Sequence, residues 1–336
     1  MRGWKFWLGI VVGVSALVYF SRDLEISAFA NSWRRIQWFR YIEGIFWFCL
    51  SFWLRCPRWK ILLAGVGRIS LNVITQAFFV GMLVNRLFPA RLGEITRCVI
   101  LKQSHQLSLV GLLTTVAVEK AFDSLALLSL CLMALAFLPA GELPGGFSAF
   151  VEENRGRIIL GAVSLPLILL VMAWVIPLLR QRPDSFRRLP GYEYLGRMLI
   201  SVHEGLKVLQ SWRETLGAVV LTAVVWGLLV RSAWCAILSF GWDLPVSAAV
   251  VLCASIGLAV MLPQAPSFVG VYQVAVQWTL VGLYDVPLQE AKAFAVAIWI
   301  LQIVPVGGIG FVCLRMLGTT LSQAAAGAVV KESAGG

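Results

Sequence analysis

The sequence predicts an all-α, polytopic integral membrane protein. Of its 336 residues, 59% are hydrophobic, and the mean hydropathy is +0.83. Charged residues make up only 13% of the chain, which excludes a soluble domain of any size. Apolar runs recur at about the 20 residues that a helix needs to cross a bilayer. We therefore expect a single transmembrane domain over residues 1–320, followed by a disordered tail over residues 321–336.

The charge and the cysteine content narrow the expected partners. The net charge of +11 comes from basic residues that are spread over the loops flanking the apolar runs. This distribution favours anionic lipid surfaces over nucleic acid as a partner. The seven cysteines lack C-x-x-C spacing, and the two histidines, His105 and His203, are far apart in the sequence. We expect no disulfide framework, no metal site and no cofactor.

Six apolar runs are predicted to cross the membrane completely. The basic run Arg180–Arg213 is expected to be cytoplasmic, because lysine and arginine are enriched in cytoplasmic loops. Arg55, Arg58 and Lys60 are expected to end the second crossing on that same side. Both chain termini are then cytoplasmic, and the protein lies in the inner (cytoplasmic) cell membrane. The predicted crossings are Phe6–Phe20, Trp38–Leu54, Leu107–Leu138, Ile158–Leu179, Leu216–Phe240 and Ala291–Leu314.

Two further segments, Leu71–Lys102 and Val246–Leu283, are predicted to dip into the membrane and return. Each is interrupted, and the apolar runs beside the interruption are too short to cross a bilayer of about 30 Å. Irregular backbone at membrane depth survives only where it is buried in protein or lines a wet cavity. One segment enters from each side of the membrane. This arrangement indicates a transporter built from inverted repeats, with halves over roughly residues 1–140 and 155–320.

Helix-breaking residues mark both interruptions. They are Pro89 and Gly93 in the first segment, and Pro263, Pro266 and Gly270 in the second. Two plainer interpretations stay open. The first segment is alternatively a cytosolic loop whose arginines follow the positive-inside rule. Both segments are alternatively ordinary tilted helices with proline kinks.

Charged residues at membrane depth indicate the candidate site. Glu119 and Asp123 are four residues apart and share one helix face, so their carboxylates repel each other unless cations neutralise them. If this helix enters the membrane near Leu107, Glu119 lies roughly 18 Å deep at 1.5 Å per residue. The arginines of the first dipping segment are the expected partners. The whole cluster holds four basic and three acidic side chains, which leaves one positive charge.

This positive remainder suits the phosphate of a lipid headgroup. The alternative is that the ion pairs only lock the helices together, since a buried pair is by itself no proof of function. Arg231, in the outer third of its helix, is expected to snorkel to the membrane surface. The candidate lipid-binding residues are Asn85, Arg86, Arg91, Glu94, Arg97, Glu119, Lys120, Asp123, Gln264 and Gln273.

Two motifs in the first half of the chain follow a known family pattern. The pattern N-x3-P-x-R-x-G-E-x2-R is matched from Asn85 to Arg97. The pattern E-R-x2-D is matched from Glu119 to Asp123, with Lys120 in place of the arginine.

A third motif, P-x2-P-G-G-x-G-x2-E, begins at Pro263 but departs from the pattern. Ser267 and Phe268 replace its two glycines, and Gln273 replaces its glutamate. With these three motifs the chain resembles a large family of flippase-like membrane proteins that includes the transmembrane half of lysylphosphatidylglycerol synthase. Arg58-Trp59 with Leu62-Leu63 also matches an earlier mark of this family, so the resemblance covers nearly the whole chain.

The resemblance implies movement of lipids or lipid-linked sugars between leaflets, often in cell-envelope pathways. The expected ligand is an anionic phospholipid or a polyprenyl-linked lipid, and an envelope glycosyltransferase or synthase is a candidate protein partner. Two alternatives stay open: a non-transporting membrane subunit that presents lipid to such an enzyme, and a membrane-embedded lipid transferase. No nucleophile–base pair, phosphate-binding loop or metal cluster can be assembled from the sequence, so we predict no catalytic residue and no enzyme activity.

Overall fold

The computed structural model describes residues 3–88, 92–105, 107–138, 151–164, 212–261 and 265–318. These residues form helices joined by short connections, with no β-strand among them. The predicted all-α, polytopic class is confirmed. The helices are α1 (Gly3–Ser21), α2 (Ile26–Arg34), α3 (Trp38–Leu63), α4 (Leu71–Leu87), α5 (Leu92–His105), α6 (Leu109–Phe137), α7 (151–164), α8 (Trp212–Ser239), α9 (Val246–Met261), α10 (Val271–Tyr284) and α11 (Leu288–Met316).

Three helices in the described ranges, α6, α8 and α11, are long and apolar enough to cross a membrane. They coincide with three of the predicted crossings. α4 and α9 are apolar but shorter, and so is the apolar part of α1, Gly9–Ser21, which the sequence predicts to cross completely. That α4 and α9 dip into the membrane and return stays a prediction. Of the predicted crossing Ile158–Leu179, only residues 158–164 are described, and they are helical. The basic run is described only from residue 212 onwards. The predicted tail over 321–336 lies outside the described residues.

α3 differs from its prediction at the C-terminal end. The sequence predicts that this crossing stops at Leu54, but the helix continues through Pro57 to Leu63. Arg58 is therefore a mid-helix residue, and its side chain is fully buried. Carboxylates from α6 neutralise its charge, so the arginine lies in the protein interior and not in a cytoplasmic loop. The prediction that the helix ends at Leu54 was wrong, whereas the side of the membrane on which Arg55, Arg58 and Lys60 lie stays a prediction.

α4 and α5 form a tight helical hairpin at the position predicted for the first dipping segment. The two helices touch through Gly81 and Gly93: a Cβ added at Gly93 would lie 1.8 Å from the carbonyl oxygen of Gly81. The N–H of Gly93 donates a hydrogen bond to Oδ1 of Asn85 at 2.7 Å. This bond ties the start of α5 to the last turn of α4.

α9 and α10 form a second hairpin, with a short 3₁₀ turn (Pro266–Phe268) between them. Ser267 and Phe268 have φ angles of +56° and +63°, which are strained for residues with a side chain. These are the two positions where the family pattern has glycine. Gly270 also has a positive φ of +88°, and a Cβ added there would lie 2.1 Å from the carbonyl oxygen of Gly13 in α1. The turn has therefore kept the conformation of a glycine-rich segment although two of the glycines are absent.

The turn of the second hairpin contacts the last turn of α4. The Ser267 hydroxyl donates a hydrogen bond to the backbone carbonyl of Arg86, in the last turn of α4, at 2.7 Å. The indole N–H of Trp299 in α11 donates to the carbonyl of Ser267 at 2.9 Å. Both interruptions of the chain, which are about 180 residues apart in sequence, therefore meet at one place.

Candidate functional site

Arg58 is the centre of a buried network of ion pairs. Its guanidinium donates two hydrogen bonds to the carboxylate of Asp123, at 2.7 and 3.1 Å, and one to the hydroxyl of Thr222 at 3.0 Å. The same guanidinium lies 3.3 Å from Oε1 of Glu119. Paired N–H···O bonds between arginine and a carboxylate are among the strongest in proteins. Arg58 thus links α3 to α6 and α8 in the interior.

Arg97 and Arg55 complete this network. Arg97, from α5, donates to Oε2 of Glu119 at 2.9 Å, and its guanidinium lies 4.4 Å from the ring centroid of Trp59. Arg55 lies 3.6 Å from the carboxylate of Asp123. Both carboxylates of α6 therefore have cationic partners, which removes most of the cost of holding two like charges on one buried helix face.

Lys120 and Glu94 form a separate pair that is more exposed. Nζ of Lys120 lies 2.7 Å from Oε1 of Glu94, and the two side chains are 42% and 22% exposed. A pair with this exposure contributes only about 0–1 kcal/mol of stability. Its position is more informative than its energy, because both residues border the cavity described next.

A cavity of about 270 Å³ lies where the two hairpins meet. Both hairpins contribute to its walls, and so do α3, α6, α8 and α11. Much of the lining is apolar, with Phe48, Phe52 and Met82 among the residues concerned. Apolar walls with a few convergent polar groups are typical of a small-ligand site. The polar residues of the lining include Arg55, Asn85, Arg86, Glu94, Lys120, Tyr272 and Gln302.

Arg86 differs from the other arginines of this region. Its side chain is buried, with only 7% exposed, yet no carboxylate in the described ranges lies within ion-pair distance of it. Its Nε atom is buried without a hydrogen-bond partner in the protein, and its guanidinium lies 6.0 Å from the ring centroid of Phe52. Glu119 and Asp123, the neighbouring carboxylates, bind other arginines. Among the described residues, the cavity wall therefore has one positive charge without an acidic partner.

The structure divides the predicted site residues into two groups. Asn85, Arg86, Glu94 and Lys120 line the cavity, whereas Arg97, Glu119 and Asp123 belong to the ion-pair network. Gln273 lies apart from both groups. Its Oε1 accepts a hydrogen bond from the N–H of Gly270 at 2.8 Å, and so caps the start of α10. Pro89, Arg91, Pro263 and Gln264 lie outside the described residues.

Arg231 is held in an ion pair and does not simply snorkel. It pairs with the carboxylate of Glu43 in α3, and its guanidinium lies 4.9 Å from the ring centroid of Trp234. Neither Arg231 nor Glu43 lines the cavity. The two residues are 188 positions apart in the sequence, so no local pattern shows the contact.

Sequence reasoning missed the functional position of Arg55 and Arg58. Arginines next to a proline after an apolar run indicate the end of a crossing, and Pro57 supports that interpretation. One signal points the other way. Arg55 and Arg58 are three residues apart, so they share a helix face if the helix continues. The apolar residues Trp59, Ile61, Leu62 and Leu63 allow it to do so.

These features define a class of protein: an α-helical membrane protein in which two interrupted hairpins meet at a cavity beside a buried ion-pair network. The chain belongs to the family described as the lysylphosphatidylglycerol synthase TM region, which matches residues 6–310. The family resemblance stated from the three motifs is thereby confirmed.

A curated relative is similar over most of the chain. The chain is 26% identical over 315 residues to a protein named glycosyltransferase AglD, from Haloferax volcanii. The match covers 85% of this chain and 49% of the relative, so the chain spans about half the length of that relative. No solved structure was found to match the chain.

Proposed function

We propose that this protein moves an anionic phospholipid or a polyprenyl-linked lipid between the leaflets of a cell-envelope membrane. The observation that carries the proposal is the hydrogen bond from Ser267 to the carbonyl of Arg86, which joins the two interrupted hairpins beside the cavity. Binding sites of transporters built from repeats lie where interrupted helices from the two halves meet. Irregular backbone at membrane depth is tolerated where it lines such a cavity.

The chemistry of the cavity supports an amphiphilic ligand. Its apolar walls suit the region of a lipid next to the headgroup, and its cations suit a phosphate. A partly exposed pair, Lys120 and Glu94, borders the same cavity, so the cavity reaches the protein surface beside these two residues. A headgroup therefore has a polar route towards the buried arginine.

The family and the relative support a role at a membrane in the cell envelope. The name of the relative refers to glycosyl transfer. That activity is not transferred to this chain, because the match covers only 49% of the relative. The charged residues of the described site are engaged in ion pairs or line the cavity, and none of them forms a nucleophile–base pair.

The test is leaflet exchange in liposomes. We expect the purified full chain to accelerate the transfer of fluorescently labelled phosphatidylglycerol or a labelled polyprenyl phosphate sugar from the inner to the outer leaflet, relative to protein-free liposomes. Dithionite reduction of the outward-facing label measures the transfer. Exchange of both probes at the protein-free rate would contradict the proposal.

A second candidate function is that of a membrane subunit that presents lipid to a separate envelope glycosyltransferase or synthase. The observation that favours it is the match to about half of a protein named as a glycosyltransferase. In that case the chain co-purifies with such an enzyme and raises its turnover, while leaflet exchange by the chain alone stays at the background rate.

A further inference from the structure

Three N–H donors of cavity-lining residues have no hydrogen-bond partner in the protein. They are Nε of Arg55, Nε of Arg86 and Nε1 of Trp226, and each of these atoms is buried. The Tyr272 hydroxyl is buried as well and lies beside the side chain of Gln302, close enough to Arg86 to interact with its charge. A buried donor without an acceptor costs the desolvation energy of that group, and a ligand that supplies acceptors removes this cost.

The charges around the cavity indicate which sign of charge a ligand should carry. The lining and the adjoining network contain five basic side chains among the described residues, against three carboxylates. Lys120 forms an ion pair with Glu94. Arg55, Arg58 and Arg97 form ion pairs with the two carboxylates of α6. Arg86 alone among these five has no acidic partner in the described ranges. The cavity wall therefore has an excess of positive charge, which favours a negatively charged ligand.

We infer that the cavity binds the phosphate of a headgroup with net negative charge, and that Arg86 and the Tyr272 hydroxyl are the groups that select it. This inference rests on the proposed function and specifies its substrate class. A headgroup that carries an ammonium group as well as a phosphate fits less well, because no carboxylate of the described lining is free to receive the ammonium. Selection by net charge follows from the excess of cations, and phosphate recognition follows from the convergence of donors.

The size of the cavity limits the ligand to a headgroup. Clefts that enclose a whole small molecule measure about 300–1,000 Å³, and this cavity is at about 270 Å³. It has room for a phosphate with a small substituent and not for two acyl chains. The acyl chains therefore stay outside the cavity while the headgroup occupies it.

Native mass spectrometry of the detergent-solubilised full chain tests the inference. Lipid titrations give apparent dissociation constants for phosphatidylglycerol, which is anionic, and for phosphatidylcholine, which is zwitterionic. We expect the wild-type protein to bind phosphatidylglycerol more tightly. Arg86→Gln should weaken phosphatidylglycerol binding about tenfold, the order expected for loss of a charge-assisted hydrogen bond, and leave phosphatidylcholine binding nearly unchanged.

Two further variants keep this test specific. Arg231→Gln removes an arginine that is paired with Glu43 and lies away from the lining, so it should keep the wild-type preference. Tyr272→Phe removes only a hydroxyl group, so it tests the site even if Arg86→Gln fails to fold. We expect it to weaken phosphatidylglycerol binding by a smaller factor. An Arg86→Gln or Tyr272→Phe protein with the full wild-type preference would overturn the inference, and so would a wild-type protein without any preference.

Inorganic phosphate distinguishes the two sources of the recognised group. In one outcome, millimolar phosphate displaces phosphatidylglycerol from the wild-type protein while leaving the phosphatidylglycerol that still binds to Arg86→Gln in place. In that case the phosphate group alone is sufficient for recognition. If it does not displace the lipid, and Arg86→Gln still loses the preference, the site recognises phosphate only as part of a lipid headgroup. Both results support the inference.

Thermal unfolding separates a binding arginine from a bracing one. A lipid-free Arg86→Gln protein should unfold at the wild-type temperature or above it, because the variant no longer buries an unpaired charge. A large fall in Tm would assign Arg86 a structural role and contradict the inference.

Leaflet exchange is measured separately from binding. Selective binding without exchange refutes translocation and leaves the site standing, whereas exchange that does not depend on Arg86 refutes the site and leaves translocation standing.

Discussion

Arg58 illustrates how a cation becomes tolerable inside an apolar protein. It donates hydrogen bonds to Asp123 and Thr222, and its guanidinium lies 3.3 Å from Glu119. Little of its charge is therefore left uncompensated. Arg86, in the same interior, has no such partner among the described residues. Two arginines of similar burial therefore differ: Arg58 links three helices through its partners, whereas we propose that Arg86 binds a ligand.

The first prediction concerns the bracing network. Glu119→Ala leaves Arg97 without its carboxylate and weakens the surroundings of Arg58. Breaking a buried pair by removing one partner typically costs about 3–5 kcal/mol. We expect Glu119→Ala to reduce Tm and activity far more than Arg231→Ala, whose side chain is 33% exposed. Arg91→Ala is expected from the sequence to behave like Glu119→Ala.

The double variant Arg97→Met with Glu119→Leu then separates folding from function. Apolar side chains of similar size can replace a buried ion pair at little cost. Since Arg58 keeps its two bonds to Asp123, we expect the double variant to recover both Tm and leaflet exchange relative to Glu119→Ala. Recovery of folding without exchange would instead show that the network itself contacts the headgroup.

At the scale of the helices, the second hairpin is held in a strained conformation by its contacts. Ser267 has a left-handed backbone, accepts a hydrogen bond from Trp299 and donates one to the carbonyl of Arg86. Strain of about 1–3 kcal/mol per residue persists only where the surroundings enforce it. The family pattern has glycine at this position, and the serine hydroxyl provides a bond that glycine lacks.

The second prediction compares two variants of Ser267. Both Ser267→Ala and Ser267→Gly lose the bond to Arg86, but only glycine adopts a φ of +56° without a steric cost. We expect Ser267→Ala to be less stable than Ser267→Gly by about 1–2 kcal/mol, the cost of the left-handed conformation for a residue with a Cβ. Chemical or thermal unfolding in detergent measures the difference. Equal stability of the two variants would show that the turn relaxes when the bond is lost.

The third prediction concerns the close packing of the first hairpin. Gly93→Ala places a Cβ against the carbonyl oxygen of Gly81, so α4 and α5 must separate and move Asn85 and Arg86. We expect a large loss of stability and of leaflet exchange. Gly227→Ala is the matched control, because a Cβ on that α8 residue meets nothing within 4 Å. Alanine there should be neutral or stabilising by up to about 1 kcal/mol. A Gly93→Ala protein that behaves like the control would contradict the packing.

At the scale of the whole molecule, segment length and helix-breaking residues were enough to predict where the two hairpins are interrupted. Local spacing was also enough to place Glu119 and Asp123 on one face. The partners of these carboxylates were harder to predict. An arginine within a helix and an arginine at a membrane boundary look alike in sequence, so Arg58 was predicted to lie at the end of the second crossing. Contacts such as Ser267 with Arg86 depend on how distant segments pack, and nothing local in the sequence encodes them.

The predicted orientation of the chain gives a fourth prediction. Single cysteines placed near Glu152 and near Arg187, in a background without the native cysteines, should react with a membrane-impermeant maleimide from opposite sides of the membrane. The reason is that the basic run around Arg187 is expected to be cytoplasmic. Labelling of both from the same side would refute this orientation and the inverted-repeat arrangement with it.

We propose that a lipid headgroup passes through the cavity where the two hairpins meet. Leu229→Trp fills this cavity from α8, whereas Val224→Trp places the same side chain on the same helix at a position that is 42% exposed. The measurement is the rate of leaflet exchange of labelled phosphatidylglycerol in liposomes, with both variants checked for folding by gel filtration and Tm. We predict that folded Leu229→Trp loses most of the exchange while Val224→Trp keeps the wild-type rate. Equal exchange by both variants would contradict passage through the cavity.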